Sequence, residues 1–133
     1  MAGALLLDSD ILIDYLRGQA DAVDFLKSTR RDLRVSAATV AELYVGVREG
    51  AEREVLDRFI DLLEIVAITP TIAKQAGLWR RDYGRSHGTG LIDSLIAACA
   101  SFSGSTLVTL NKKHFPMLEE VLVPYRKDAI KGN

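Results

Sequence analysis

The residues of this chain that could do chemistry carry carboxylate or amide oxygens and come from separated parts of the sequence. They are Asp8, Glu42, Asp93 and Asn111. Asp8 directly follows the apolar run 4–7, and Asn111 directly follows the run 106–110, so each comes at the end of a predicted buried strand. Ligand sites in open parallel sheets gather outside the carboxyl ends of the strands. Both residues are therefore candidates for one shared site.

Oxygen ligands without clustered histidines or cysteines suit Mg²⁺ or Mn²⁺ and argue against zinc. Carboxylates that repel one another need such a cation in order to stay ionised together. A Mg²⁺ ion held by Asp8, Glu42 and Asp93 would keep several waters and could activate one of them as a nucleophile. It could also neutralise the charge that builds on a phosphate. These residue types thus predict metal-assisted chemistry at a phosphate group.

Two of the acids also fit ordinary helix-capping roles. Asp8 lies between a strand and a helix and could cap that helix. Glu42 closes the pattern Thr39-Val40-Ala41-Glu42, a capping box in which the glutamate reaches back to the first backbone amide. Yet this helix follows the predicted strand 33–35, so its first turn also faces the carboxyl edge of the sheet. The residues alone leave both roles open.

Asp93 is harder to explain as a structural residue. Segment 90–100 is apolar nearly all round and predicts a buried helix, and no lysine or arginine lies within one turn of Asp93. A desolvated carboxylate without a partner costs several kcal/mol or takes up a proton. The dipole at a helix N-terminus stabilises an exposed carboxylate by only about 0.3–1 kcal/mol. We therefore expect a cation or good donors to hold Asp93.

Asn111 has two interpretations as well. An asparagine after a strand is most often a turn residue. Its amide oxygen could instead bind a hard cation or orient a metal-bound water, with help from Thr109. Lys112, Lys113 and His114 follow at once, and beside a metal site they could contact phosphate.

The elements that must position these residues alternate along the chain. Apolar runs predict strands at 4–7, 33–35 and 106–110, with weaker candidates at 65–68 and 121–123. Helical periodicity occupies the segments between them, including a first helix with Asp10 and Asp14 on its polar face, a helix opened by Pro70 and a helix over 91–102. The glycine-rich stretch 84–90 is predicted to be a loop. This alternation predicts an α/β fold with a mainly parallel sheet covered on both faces.

Composition agrees with an ordinary globular protein. The chain has 133 residues, of which 48% are apolar and 26% charged, and its net charge is -1. We expect one domain over residues 1–133 and nucleic-acid binding only through local patches. The N-terminal apolar stretch is too short for a signal peptide, and no run is long enough to span a bilayer. The single cysteine, Cys99, cannot form an internal disulfide, so we expect a cytoplasmic protein.

Four blocks of the sequence resemble the PIN domains and, within them, the VapC toxins. They are LDSDILIDYLRG at 7–18, VSAATVAELYVGV at 35–47, LIDSLIAA at 91–98 and LVTLNKKHF at 107–115. Each block alone is weak evidence. Together they cover nearly the whole chain in the family's order, which makes the resemblance strong.

The resemblance implies a PIN-like three-layer α/β/α fold with four or five parallel strands, and Mg²⁺-dependent endoribonuclease activity, with Mn²⁺ as a second metal. Asp8 and Asp93 match the family's metal ligands, and Glu42 matches its third acidic residue. The fourth block departs from the pattern, because many relatives place an aspartate just before the phenylalanine where this chain has His114. Asn111 is therefore the candidate for the fourth catalytic position.

The resemblance also implies partners. They are a cognate VapB antitoxin that inhibits the enzyme, a structured RNA substrate such as transfer or ribosomal RNA, and a second copy of the chain in a homodimer that joins the antitoxin in a hetero-oligomer. Two alternatives stay open. One is a DNA-directed or structure-specific nuclease, since the fold does not determine the substrate. The other is a non-catalytic binding module whose acidic pocket receives a basic peptide.

Overall fold

A parallel β-sheet forms the centre of the computed structural model, which describes residues 3–126. The strands are β1 (Leu5–Leu7), β2 (Leu33–Ser36), β3 (Glu64–Val66), β4 (Thr106–Val108) and β5 (Val121–Leu122). Within the described residues they form one five-stranded sheet in the order β3-β2-β1-β4-β5, and each neighbouring pair is parallel. The predicted strands are confirmed, with small differences at their ends.

Helices cover both faces of the sheet, which confirms the three-layer α/β/α arrangement. They are α1 (Ser9–Leu16), α2 (Ala20–Ser28), α3 (Ala37–Val45), α4 (Ala51–Ile60), α5 (Pro70–His87) and α6 (Leu91–Phe102). The core on one face is built with α1, α3 and α4, and the core on the other face with α5 and α6. Over residues 3–126, none of these helices has both the length and the apolar character needed to cross a membrane.

Strand β1 is buried on both sides, which explains why its three residues are all leucine. Leu5 and Leu7 pack into the core beneath α1, α3 and α4, whereas Leu6 packs into the core beneath α5 and α6. Successive side chains of a strand point to opposite faces, so a central strand between two helical layers needs apolar residues throughout. The apolar run that predicts this strand is therefore a direct consequence of its central place.

The order of the strands creates a switch point between β1 and β4. The chain moves from β1 to β2 and then to β3 on one side, and α5 and α6 return it to β4 on the other side of β1. The crevice outside the carboxyl ends of two such strands is where open α/β sheets bind ligands. Asp8 follows β1 there, and its backbone N–H donates to the carbonyl of Val108 at the end of β4 at 2.9 Å.

The prediction of a loop over 84–90 is wrong for residues 84–87, because α5 continues through His87. Gly84 lies inside the helix, and the guanidinium of Arg80 occupies the space that a side chain at position 84 would take. The helix ends at Gly88, whose φ of 68° lies in the left-handed region that favours glycine.

Asp14 is also placed differently from the expectation, because its side chain is buried rather than on a polar face. The segment after β5 packs against the core on this side through Tyr125. The hydroxyl of Tyr125 donates to Oδ2 of Asp14 at 3.0 Å. A contact with a distant segment thus supplies a partner that the helical periodicity of α1 could not reveal.

Replacing Leu6 by alanine should lower the free energy of unfolding by about 2–5 kcal/mol, because it leaves a cavity under the central strand. Leu62, which is 79% exposed, offers a matched control, and Leu62→Ala should stay within about 0.5 kcal/mol of the wild type. Urea unfolding followed by circular dichroism measures both values. Equal losses in the two variants would contradict a β1 that is buried on both faces.

Candidate active site

Asp8 is the buried centre of the candidate site, with a side chain that is only 5% exposed. Its Oδ1 accepts the backbone N–H of Ser9 at 2.7 Å, so Asp8 does cap α1. Its Oδ2 accepts the hydroxyl of Thr109 at 2.7 Å. Asp8 therefore combines the capping role and a place at the switch point, the two roles that the sequence left open.

Burial raises the pKa of Asp8 from 3.8 to about 7. The carboxylates of Asp10 and Asp93 add to the rise, while the hydrogen bonds from Thr109 and Ser9 oppose it. A carboxyl group in this state is half protonated near neutral pH. A cation beside it would favour the charged form and reverse the shift.

Asp10 joins α1 to the segment after β4, a role that the sequence analysis did not assign. Its Oδ2 accepts the backbone N–H of Leu110 at 2.9 Å and lies 3.3 Å from the hydroxyl of Thr109. Its Oδ1 accepts the backbone N–H of Ile11 at 2.7 Å. Burial raises the pKa of Asp10, and these hydrogen bonds oppose the rise. The only feature of the sequence that could have indicated this role of Asp10 is its position two residues after Asp8.

Glu42 does not belong to a capping box, so that interpretation is wrong. Ser36, the last residue of β2, caps α3 by accepting the backbone N–H of Ala38 at 3.0 Å, and Thr39 is buried. Glu42 lies in the second turn of α3 with its side chain exposed. Partial burial of the carboxyl group raises the pKa of Glu42, a hydrogen bond from Ser9 lowers it, and the Asp93 carboxylate raises it further.

Asp93 is held by donors, as expected, but it is less buried than the apolar character of its helix predicts. It lies in the first turn of α6 and is 26% exposed. Its Oδ2 accepts the backbone N–H of Gly90 at 3.0 Å, and Nδ1 of His114 lies 3.4 Å from the same oxygen. Oδ1 accepts no hydrogen bond from the residues that the structure describes. Asp93 thus keeps one oxygen available at the edge of the sheet.

Asn111 is brought to the same edge, but its amide nitrogen faces the acids. Nδ2 of Asn111 lies 3.5 Å from Oδ2 of Asp10, and the side chain is exposed. The backbone N–H of Asn111 donates to the hydroxyl of Thr109 at 3.1 Å. The fourth catalytic position of Asn111 stays a prediction.

The donor set suits a hard cation. Asp93 raises the pKa of both Asp8 and Glu42 by charge repulsion, so the carboxylates of three separated elements act on one another. Across residues 3–126, no three side chains of His, Cys, Asp or Glu converge closely enough to enclose a metal ion. Mg²⁺ usually binds one or two protein carboxylates and keeps several waters. A magnesium ion that keeps most of its waters would need only one or two of these carboxylates.

A groove of about 440 Å³ runs from Glu42 along α1, α3 and α4. The half-exposed apolar side chains of Ile13, Leu16 and Val55 line it. Arg17, Arg48 and Glu52 add charged groups to the lining. Glu42 thus belongs both to the acidic cluster and to an apolar groove.

Comparison with known proteins gives concordant results. Residues 5–119 match the PIN domain. Ribonuclease VapC10 of Mycobacterium tuberculosis is 44% identical over 124 residues, which are 91% of this chain and 92% of that protein. Ribonuclease VapC19 of the same species is 35% identical over 124 residues, or 90% of this chain and 98% of that protein. A chain of a toxin-antitoxin complex from Klebsiella pneumoniae superposes with a TM-score of 0.81 at 26% identity, covering 93% of this chain and all of that one.

The raised pKa of Asp8 predicts how stability depends on pH in metal-free buffer. The folded protein binds more protons than the unfolded chain between pH 3.8 and about 7, so the free energy of unfolding should fall as the pH rises through this range. Asp8→Asn removes this titration. Above pH 7 the variant should therefore be more stable than the wild type, by up to a few kcal/mol.

Urea unfolding at a series of pH values measures this difference. Asp24, which is exposed on α2, provides the matched control, and Asp24→Asn should follow the wild-type profile. Parallel pH profiles for the wild type and Asp8→Asn would contradict a buried Asp8 with a raised pKa.

Proposed function

This chain belongs to the PIN-domain family and is a VapC-type ribonuclease toxin of a VapBC toxin-antitoxin system, and we propose that Asp8, Glu42 and Asp93 form its Mg²⁺-dependent active site. The observation that carries the assignment is the burial of Asp8 at the switch point of the sheet, which raises its pKa, while repulsion by the charges of Asp10 and, to a smaller extent, Asp93 adds to the rise. A fold gains no stability from such repulsion, and a cation removes it. The same chemistry suits Mn²⁺.

The proposed reaction is hydrolysis of an RNA phosphodiester bond. A water oxygen attacks the phosphorus, the bond to the 3' oxygen breaks, and the products carry a 5'-phosphate and a 3'-hydroxyl. A bound Mg²⁺ ion supplies Lewis acidity and lowers the pKa of its water. Asp8 and Asp93 would hold the ion, and Glu42 would face it from α3.

The surrounding residues keep these acids in place. The hydroxyl of Thr109 and the backbone N–H of Ser9 each engage one oxygen of Asp8, which restricts rotation of its carboxyl group. Asp10 holds Leu110 and the start of the loop after β4 against α1. Reactive groups must be held within a fraction of an ångström for efficient catalysis, and this network supplies that restraint.

Lys113 supports an RNA substrate at this edge. Lys112 and Lys113 are both exposed in the short 3₁₀ helix Lys112–His114, which begins next to Asn111. Lys112, however, lines a pocket with Gly3 and Thr106 at the amino ends of β1 and β4. The charge of Lys113 suits contacts with the phosphate backbone, which position a nucleic acid without reading its sequence. Transfer RNA or ribosomal RNA as the substrate, the homodimer and the cytoplasmic location remain predictions.

Replacing either Asp8 or Asp93 by asparagine should lower RNA cleavage by more than about 100-fold. Mutation of a residue that only hydrogen-bonds to a metal ligand already lowers metal affinity or activity by about 10–100-fold, and loss of a ligand itself should cost more. The fold should stay intact, because asparagine keeps the size and an acceptor oxygen of aspartate. Cleavage of labelled RNA with Mg²⁺ or with EDTA, followed by sequencing of the new 5' ends, measures the loss.

Asp24→Asn again serves as the matched control and should cleave like the wild type. Single-stranded DNA of the same sequence, incubated in parallel, tests the alternative of a DNA-directed nuclease. Full activity of Asp8→Asn, or activity that survives EDTA, would refute the proposed site.

We further propose that the groove next to Glu42 receives a helix of a VapB-type antitoxin. The Klebsiella pneumoniae chain to which this fold is similar comes from a toxin-antitoxin complex. Ile13, Leu16 and Val55 offer an apolar floor for an amphipathic helix. An arginine or lysine from that helix could reach the acidic cluster at Glu42 and compete with the metal or the RNA phosphate.

Val55→Glu should weaken antitoxin binding by at least about tenfold, or 1.4 kcal/mol, because it places a charge in the apolar floor. RNA cleavage should stay unchanged, since Val55 lies in α4 outside the carboxylate cluster. Titration calorimetry with the antitoxin encoded beside this chain measures the affinity. Leu62→Glu, at a more exposed apolar position outside the groove lining, should bind normally. Normal binding by Val55→Glu would exclude this groove as the docking site.

A further inference from the structure

His114 takes the position where many PIN-domain relatives carry an acid, and its ring lies beside Asp93. Nδ1 of His114 is 3.4 Å from Oδ2 of Asp93, the oxygen that also accepts the backbone N–H of Gly90. We propose that His114 is a positioning residue that, together with Gly90, holds Oδ2 of Asp93 and keeps Oδ1 available for the cation. This inference rests on the proposed metal site.

The backbone of His114 is held independently of its ring. Its N–H donates to the carbonyl of Asn111 at 3.0 Å, and its own carbonyl accepts the hydroxyl of Thr89 at 2.8 Å. Thr89 is buried, as is Phe115, the next residue along the chain. Truncation of the imidazole should therefore leave the main chain where it is, so that any effect on Asp93 reports the lost ring.

The turn between α5 and α6 lies beside the imidazole. A side-chain carbon at Gly88 would make an ordinary van der Waals contact with Nε2 of His114 at 3.6 Å, so glycine is favoured there by its φ of 68° and not by the space that the ring needs. The ring is thus placed between this turn and Asp93. Nδ1 lies 3.4 Å from Oδ2 of Asp93, within ion-pair distance, while the Gly90 N–H donates a hydrogen bond to the same oxygen.

A donor at this position does different chemistry from an acid. An ionised aspartate at 114 would add negative charge and could not donate to Asp93. An imidazole nitrogen placed beside one carboxylate oxygen restricts the orientation of the group, as partners outside the ligand shell do for metal ligands generally. In this chain, therefore, the position of a fourth acid is taken by a group that orients Asp93.

The test compares three variants by Mn²⁺ titration calorimetry on the full chain without RNA. His114→Asn keeps an N–H donor near the place of Nδ1, His114→Gln moves the donor toward the place of Nε2, and His114→Ala has none. We expect Mn²⁺ affinity to fall about 10–100-fold in the Ala and Gln variants and to stay within about threefold of wild type in His114→Asn. Melting temperatures without metal should be similar in all three. In an Asp93→Asn background, His114→Ala should cause no further loss.

Two failures are distinguishable. Wild-type Mn²⁺ affinity in both the Ala and Gln variants, or an Asn variant as weak as Ala, would overturn the positioning role while leaving the proposed active site in place. A wild-type chain that binds no Mn²⁺, or an Asp93→Asn variant that binds it normally, would overturn both the active site and the role of His114.

Discussion

The hydrogen bond from Thr109 to Asp8 connects the ends of β1 and β4, and the site is built around it. Both residues are buried, and the bond is 2.7 Å long. Asp8 also caps α1 through Ser9, so one carboxyl group ties a strand, a helix and the segment after the neighbouring strand together. Because this group is shielded from water, each nearby negative charge acts on it more strongly than it would at the surface.

Repulsion within the acidic cluster thus lowers the stability of the folded protein, and packing in the rest of the structure must offset this loss. Leucines on both sides of β1 and the apolar residues of α6 supply buried area directly beneath the cluster. Functional sites commonly retain interactions that lower stability, since activity requires them. In the proposed active site, the requirement would be a place where carboxylates stay close together and a cation can join them.

Glu42 links this cluster to the groove along α1, α3 and α4, because it belongs to both. In the proposed complex, a cationic side chain of the antitoxin and the catalytic metal would compete for the same negative region. Inhibition would then need no rearrangement of the sheet. The apolar floor would supply affinity, and the charge at its end would direct the partner to the site.

The amino-acid sequence by itself determined the elements and the identity of the candidate acids. Apolar runs and helical periodicity are local properties, so β1, β2, β4 and the helix that carries Asp93 could be predicted. The position of Asp8 after an apolar run likewise predicted both its capping role and its place at the sheet edge.

Only the tertiary structure decided burial and pairing. His114 as the neighbour of Asp93, Tyr125 as the partner of Asp14 and the anchoring role of Asp10 all depend on segments that are far apart in sequence. The capping of α3 by Ser36 was missed for a related reason, since the exact end of β2 is set by its pairing with β3. Periodicity shows which side of an element is apolar, whereas the groups that meet a given side chain are determined by packing between distant parts of the chain.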